Sequence, residues 1–329
     1  MINLTNLIFY LILILSSLFS ISSNSWFSCW MGMEINLFAF IPLLFFNNIN
    51  SESMIKYFII QAMSSSLMLF SIFMILNKMN MNLIIIIILN LSFYMKLGSA
   101  PFHYWYIQII KSMNWKNCFI LFTWQKIIPI ILLNYNFNIF MFYFFISMNV
   151  LLSSLEGLNQ VSLRSIMNFS SINHLGWMLM IIYMNKNLWL IYFMSYSFIS
   201  LILITMFYTM NISFLNQIYY IKNNFMNTFN VIINLLSLGG LPPMMGFFPK
   251  WISIQFMIIN KEFYMSLLMV MMSLITLYFY LRMTFSIMNL ISTKIKWILL
   301  IKNNFLNIMM FMFSFFSIMM LIIFSMIMF

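Results

Sequence analysis

The chain is poor in every residue that builds a metal or redox centre. Its 329 residues hold two cysteines, Cys29 and Cys118, and two histidines, His103 and His174. The cysteines lie far apart in apolar sequence, so no disulfide framework, iron–sulfur cluster or zinc site can be assembled, and both read as packed small hydrophobes. Nor is there a glycine-rich phosphate loop, or a histidine pair on one helix to hold a haem, so redox and nucleotide chemistry are excluded. Charge is equally scarce: 6% of residues are charged, four acidic against fifteen basic. Alanine occurs only at 39, 62 and 100, and glycine and proline number seven and six.

What is present is apolar. With 64% hydrophobic residues and a mean hydropathy of +1.01, most helices would be apolar on every face, which makes this an integral membrane protein. The 39 Phe and 37 Met, with abundant Ile, Asn and Lys, form an A+T-rich coding imprint. So much methionine points to a code with a second Met codon, as in animal mitochondria. Glycine and proline, whose codons are G+C-rich, should then persist mainly where the backbone demands them. The segment Asn3 to Ile21 has no basic n-region and no Ala-x-Ala site, and reads as a retained spanning helix.

Apolar runs between polar clusters predict eleven spans, at about 3–21, 26–46, 57–77, 82–110, 117–134, 138–156, 170–184, 188–210, 230–259, 263–286 and 304–328. Turns are expected at Asn47 to Ser53, Asn77 to Asn82, Asn185 to Asn187 and Lys222 to Asn227. Sorted by side, Lys56, Lys111, Lys116, Arg164, Lys222, Arg282, Lys294, Lys296 and Lys302 fall with the N-terminus, and Lys78, Lys186 and Lys261 opposite. Cationic loops stay on the side of insertion, so the N-terminus is expected inside, in a mitochondrion the matrix. The net charge of +11 thus reports topology, and nucleic acid is excluded as a partner.

Two of these spans cannot be straight helices. LGGLPPMMGFFPKW, Leu238 to Trp251, carries three of the six prolines and three of the seven glycines. Pro242 and Pro243 have no N–H for the carbonyls of Leu238 and Gly239, and Leu241, preceding a proline, is pushed off helical geometry. In hydrocarbon each freed carbonyl costs several kcal/mol unless protein or water satisfies it. The second interruption is KLGSAPFHYW, Lys96 to Trp105, with Gly98 and Pro101; Gly239, Gly240, Pro242 and Pro243 are its counterparts in the first. The first ten spans divide into two sets of five, residues 1–135 and 136–287, each with its fourth member broken, followed by 288–329 as a loop and final helix. Five helices per unit makes successive units inverted, and paired broken helices mark the working site of an inverted-repeat transporter.

Few ionisable residues lie deep within spans: Glu34, Lys96, Lys126, Lys250 and His174. A central Lys or Glu costs about 3 kcal/mol, so four of them point to a role; the alternative for each is snorkelling to the interface. For His174 a neutral, hydrogen-bonded core histidine stands beside a proton relay, and His103 reads as a loop anchor. At an effective dielectric near 20, a Lys–Glu pair about 4 Å apart interacts by about 4 kcal/mol, roughly 3 pKa units, so separating the pair ejects a proton. Spread along a line of water, Glu34, Lys96, Lys126 and Lys250 would pass charge laterally through the membrane, with the energy supplied by a partner.

These residues carry a resemblance. SNSWFSCWMGMEINLFAFIPL (Ser23 to Leu43), KLGSAPFHYW, TWQKIIP (Thr123 to Pro129), GLNQVSLRSIMNFSSINHLGWM (Gly157 to Met178) and SLGGLPPMMGFFPKW (Ser237 to Trp251) resemble the chain 2 family of mitochondrial NADH–ubiquinone oxidoreductase, respiratory complex I, in its animal, particularly insect-like, form. The resemblance runs over nearly the whole length. It implies an all-α polytopic membrane protein with about eleven transmembrane helices, antiporter-like inverted five-helix repeats and two broken helices. Glu34 then corresponds to the family's buried glutamate, Lys96 to its partner lysine, Lys126 to the central lysine, Lys250 to the lysine of the second broken helix and His174 to the polar position between them. Two positions depart from the pattern: Ile107 and Gln108 stand where a Pro–Glu pair is usual, and Ser165 where a lysine is usual. Glu156, where glycine is common, reads as a loop charge.

The resemblance also implies the partners and the place. They are the other complex I membrane-arm subunits, including antiporter-like neighbours, with accessory subunits and phospholipid such as cardiolipin, in the mitochondrial inner membrane. FMN, iron–sulfur clusters and ubiquinone would sit on other subunits, with no cofactor or metal on this chain. Two other readings remain, a stand-alone cation/proton antiporter and a structural spacer whose charges only hold helices in register.

Overall fold

The computed structural model describes residues 4–45, 51–77, 82–136, 138–219 and 225–293, with 312, 314 and 315. It is almost wholly helical, the exception being an isolated antiparallel bridge between Ser162 and Phe214. The chain divides into two compact units, Met1–Asn149 and Val150–Phe329. The first holds α1 (Leu4–Ser22), α2 (Trp26–Phe45), α3 (Ser51–Leu76), α4 (Asn82–Leu97), α5 (Tyr104–Ser112), α6 (Trp115–Phe122) and α7 (Trp124–Tyr135). Helix α8 (Ile139–Gly157) crosses the division, and the second unit continues with α9 (Leu163–Met184), α10 (Trp189–Thr209), α11 (Leu215–Tyr219), α12 (Phe225–Gly239), α13 (Phe247–Ile259) and α14 (Phe263–Thr293).

Helices therefore cover the first ten expected spans; the eleventh, 304–328, lies outside the described residues apart from 312, 314 and 315. Among the described residues seven helical segments are long and apolar enough to cross a membrane, with α6 and α7 counted together as Trp115–Tyr135. The halves of the interrupted spans are each too short, and α9, at 22 residues, is not among the seven. Its polarity has a physical reason. Nearly every residue of α9 is buried in protein, including Asn168, Ser170, Ser171, Asn173 and His174, so it need not satisfy lipid.

Boundaries moved where capping chemistry reaches beyond the apolar run. Helix α3 begins at Ser51 instead of 57, and Glu52 in its first turn pairs with Lys56 one turn on. Helix α9 begins at Leu163 instead of 170: Ser162 is its N-cap and accepts from the Ser165 backbone N–H. Ser165 is thus buried in the first turn of α9.

Several helix pairs recur in both units. Helix α3 lies against α2, α4 and α5, as α10 lies against α9, α12 and α13, while α4 meets α7 as α12 meets α14. In the first unit Gly32 of α2 faces the backbone of Ser20 on α1, where a Cβ would come within 2.7 Å of the Ser20 Cβ. Small residues are what bring helices together where the surroundings are as apolar as the side chains.

Candidate functional site: two broken helices and their lysines

Both breaks are built alike. Helix α4 ends with Gly98 at φ 64° and α12 with Gly240 at φ 79°, left-handed values that favour glycine. At the first, the Gly98 N–H bonds the Met95 carbonyl and the Ser99 N–H that of Tyr94; at the second, Gly240 bonds Ser237 and Leu241 bonds Leu236. These are complete Schellman closures, which satisfy carbonyls that the interrupted helix would otherwise leave open. A cis peptide follows each, at Ala100–Pro101 and Pro242–Pro243. The helix resumes at Tyr104 in one case and Phe247 in the other, where Pro249 falls in a first turn that needs no N–H.

A lysine stands at each break, and at the second its ammonium meets a freed carbonyl. Lys96 lies in the last turn of α4. Lys250 reaches back from α13, and its Nζ donates to the Gly239 carbonyl at 2.9 Å. Gly239 O is one of the two acceptors that Pro242 and Pro243 cannot serve, so the lysine itself supplies the missing donor. A cation at a helix C-terminus is stabilised by up to about 2 kcal/mol in a buried setting. Gly240 makes the seat possible, because a Cβ there would stand 3.0 Å from the Lys250 Nζ. At the first break the holding group is neutral: the Asn149 Oδ1 on α8 accepts from the Ala100 N–H at 2.6 Å.

In the first unit Lys96 and Lys126 line one cavity of about 30 Å³, together with Asn36, Gln61, Tyr106 and Gln125. That volume exceeds the ~10–15 Å³ one water requires, and these polar groups stand in a lining that is otherwise apolar, including Leu37, Leu97, Leu121 and Ile128. The Lys96 Nζ donates to the Met33 thioether at 3.5 Å, and Gln61 donates to the Lys96 carbonyl at 3.4 Å. Lys126 is 2% exposed and its Nζ lies 5.7 Å from the centre of the Tyr106 ring. Gln125 and Asn36 are joined across the cavity wall at 2.8 Å. Glu34 is half-buried on α2 and acts on Lys96 electrostatically, but the two close no direct ion pair.

The structure adds a feature absent from the sequence reading. The span expected at 117–134 is divided at Thr123, between α6 and α7, so Lys126 sits in the first turn after a kink. Pro129 explains it: the proline has no N–H for Gln125, and its ring pushes the preceding turn aside. Thr123 closes the end of α6 by donating its hydroxyl to Phe119 at 2.7 Å.

In the second unit His174 is buried on α9, and its Nδ1 shares a hydrogen bond of 2.8 Å with the Tyr192 hydroxyl. His103 is buried beside Pro101, caps α5 with its carbonyl and stacks on Tyr104 at 4.5 Å, as a loop anchor would. Cys29 and Cys118 are buried free thiols on α2 and α6. Glutamines, asparagines and tyrosines around the lysines were not singled out from sequence. Asparagine and tyrosine are common in a chain this rich in A+T codons, and only the shared cavity separates these residues from other polar positions of a span.

A hydrophobic chain whose described residues are almost wholly helical, with two Schellman-terminated broken helices and a lysine placed at each, is a polytopic membrane protein of the ion-transporter class. The family model described as NADH:quinone oxidoreductase/Mrp antiporter, transmembrane, matches residues 23–276. NADH-ubiquinone oxidoreductase chain 2 of Anopheles gambiae is 45% identical over 315 residues, 93% of this chain and 92% of that one. The protein of the same name in Aedes aegypti is 44% identical over 342 residues, covering 99% and 98%. A chain of respiratory complex I from Thermus thermophilus has the same fold, with a TM-score of 0.85 at 16% identity over 97% of this chain and 78% of that one. A chain of the Mrp complex from Dietzia reaches 0.74 at 13% identity, over 85% and 59%. The chain belongs to the NADH-ubiquinone oxidoreductase chain 2 family.

Proposed function

We propose that the chain is a core proton-translocating subunit of the membrane arm of NADH–ubiquinone oxidoreductase, complex I. Glu34, Lys96 and Lys126 in the first unit, and Lys250 with His174 as relay in the second, load and release the proton. The observation that carries this reading is the cavity shared by Lys96 and Lys126. Two ammonium groups facing one small space are coupled, because protonating one makes the other's proton easier to lose. Glu34 sets the balance at Lys96, and a shift of α2 against α4 would alter it. Water in the cavity supplies the acceptor between the lysines.

The energy comes from partner subunits, where NADH is oxidised and ubiquinone reduced with FMN and iron–sulfur clusters. The membrane is the mitochondrial inner membrane, with the N-terminus on the matrix side and phospholipid such as cardiolipin against the exposed apolar faces. The excess of basic residues on one side and the coding imprint support this placement.

Lys126→Met tests the reading. In an assembled complex reconstituted into vesicles it is expected to lower proton pumping at least several-fold. Pumping at the unaltered rate would overturn the proton role and leave a structural spacer. Isolation of the chain from membranes without other respiratory subunits would favour a stand-alone cation/proton antiporter, a reading that the match to the antiporter family keeps in view.

A further inference from the structure

Between His174 and the seat of Lys250 the second unit buries three tyrosines: Tyr192 and Tyr196 on α10, and Tyr280 on α14, each 1 or 2% exposed. Tyr192 and Tyr196 are one turn apart and share a face of their helix. Tyr192 holds the His174 Nδ1 at 2.8 Å, and the Tyr196 ring centre lies 4.8 Å from that of the same imidazole. The Tyr196 hydroxyl approaches Ser171 and that of Tyr280 approaches Ser170, both on α9. Tyr280 lies near both other tyrosines. Its ring also closes on the second break, 3.5 Å from where a Cβ of Gly239 would stand, and the Gly239 carbonyl is what Lys250 binds.

Packing alone does not account for these hydroxyls. Phenylalanine would fill the same space, its codons are as A+T-rich as those of tyrosine, and the chain already uses 39 of them. A hydroxyl buried in such surroundings costs about 1–3 kcal/mol unless it is paired. One of the tyrosines holds the imidazole, another closes on the break that seats Lys250, and serines from α9 stand beside two of the three.

We propose that Tyr192, Tyr196 and Tyr280 form a hydroxyl bridge that passes the proton between Lys250 and His174. The proposal rests on the proton-translocating reading above. In one direction an N–H bond of the Lys250 ammonium breaks. Each tyrosine then gives its phenolic hydrogen to the next acceptor as it takes one from the previous donor, and an N–H bond forms on His174. Lysine ends as the amine, histidine as the imidazolium, and every tyrosine remains neutral. The α9 serines orient the hydroxyls, and water completes steps longer than a hydrogen bond.

The test is the triple variant Tyr192→Phe, Tyr196→Phe, Tyr280→Phe, which removes three oxygen atoms and no ring, with Lys250→Met as control. Both are assembled in the complex and reconstituted into vesicles. The expected result is an unchanged amount of complex. Pumping should lose at least half of what Lys250→Met loses, and the rate ratio between H2O and D2O should change. A merely structural role would leave the isotope ratio alone. If the triple variant does not assemble, the single variants are read in the same way. Wild-type pumping and isotope ratio in all Phe variants, with the Lys250→Met loss intact, would overturn the bridge and leave the lysine reading standing. An undiminished rate in Lys250→Met would instead overturn the reading on which the bridge rests.

Discussion

At the scale of single residues, the buried lysines are held by specific neighbours. Lys250 has the Gly239 carbonyl as acceptor and the bare Cα of Gly240 as its floor. Gly240→Ala therefore combines two effects: an L side chain at φ 79°, costing about 1–2 kcal/mol, and a methyl group pressed against the ammonium. The assembled complex should melt at a lower temperature and pump more slowly than one carrying Gly239→Ala, where the added Cβ meets ordinary contacts of 3.5 Å or more. Equal pumping by the two variants would show that the seat is irrelevant. Gly98 faces the Tyr106 ring in the same way, with a would-be Cβ only 3.0 Å away. A side chain there would push on an aromatic ring that also flanks Lys126.

At the scale of elements, each break is a stable construction with its own clasp. The first depends on α8, since Asn149 accepts from the Ala100 N–H. Asn149→Leu would leave that donor buried without its acceptor, a loss of about 1–3 kcal/mol. It should appear as faster amide exchange and easier proteolysis confined to 97–104; unchanged exchange there would show that the clasp contributes nothing. The second break depends on close backbone approach, because a Cβ on Gly246 would overlap the Ser237 carbonyl. No rotamer relieves a clash with backbone, so Gly246→Ala should reduce the amount of assembled complex more than Gly240→Ala. Comparable amounts of both would argue that the loop between α12 and α13 relaxes freely.

For the whole molecule, the expected orientation can be read with an impermeant thiol reagent, because Cys29 and Cys118 are buried and give little background. A thiol introduced by Lys111→Cys at the end of α5 should react from the matrix side, and one introduced by Lys186→Cys, after α9, from the opposite side. The reverse pattern would invert the topology. Much of this molecule was legible in advance. Spanning segments follow from hydrocarbon thickness, and the two breaks from proline's missing N–H and glycine's freedom, both local properties of the chain. The buried lysines stood out because charge is so rare here. The kink at Thr123 was less legible, since one proline inside an apolar run bends a helix without announcing where its caps will fall. What surrounds the lysines was decided only in three dimensions. Asn36, Gln61 and Gln125 come from three different helices, and each alone looks like any other polar residue of a span. Likewise nothing local says that Lys250 would bind the carbonyl its own prolines had freed, or that a tyrosine of α14 would close on the same break. The sequence by itself determined where the chain crosses and where it must break, because those costs are borne residue by residue. Tertiary structure decided which groups meet at the breaks, because hydrogen bonds and cavities join residues that only packing brings together.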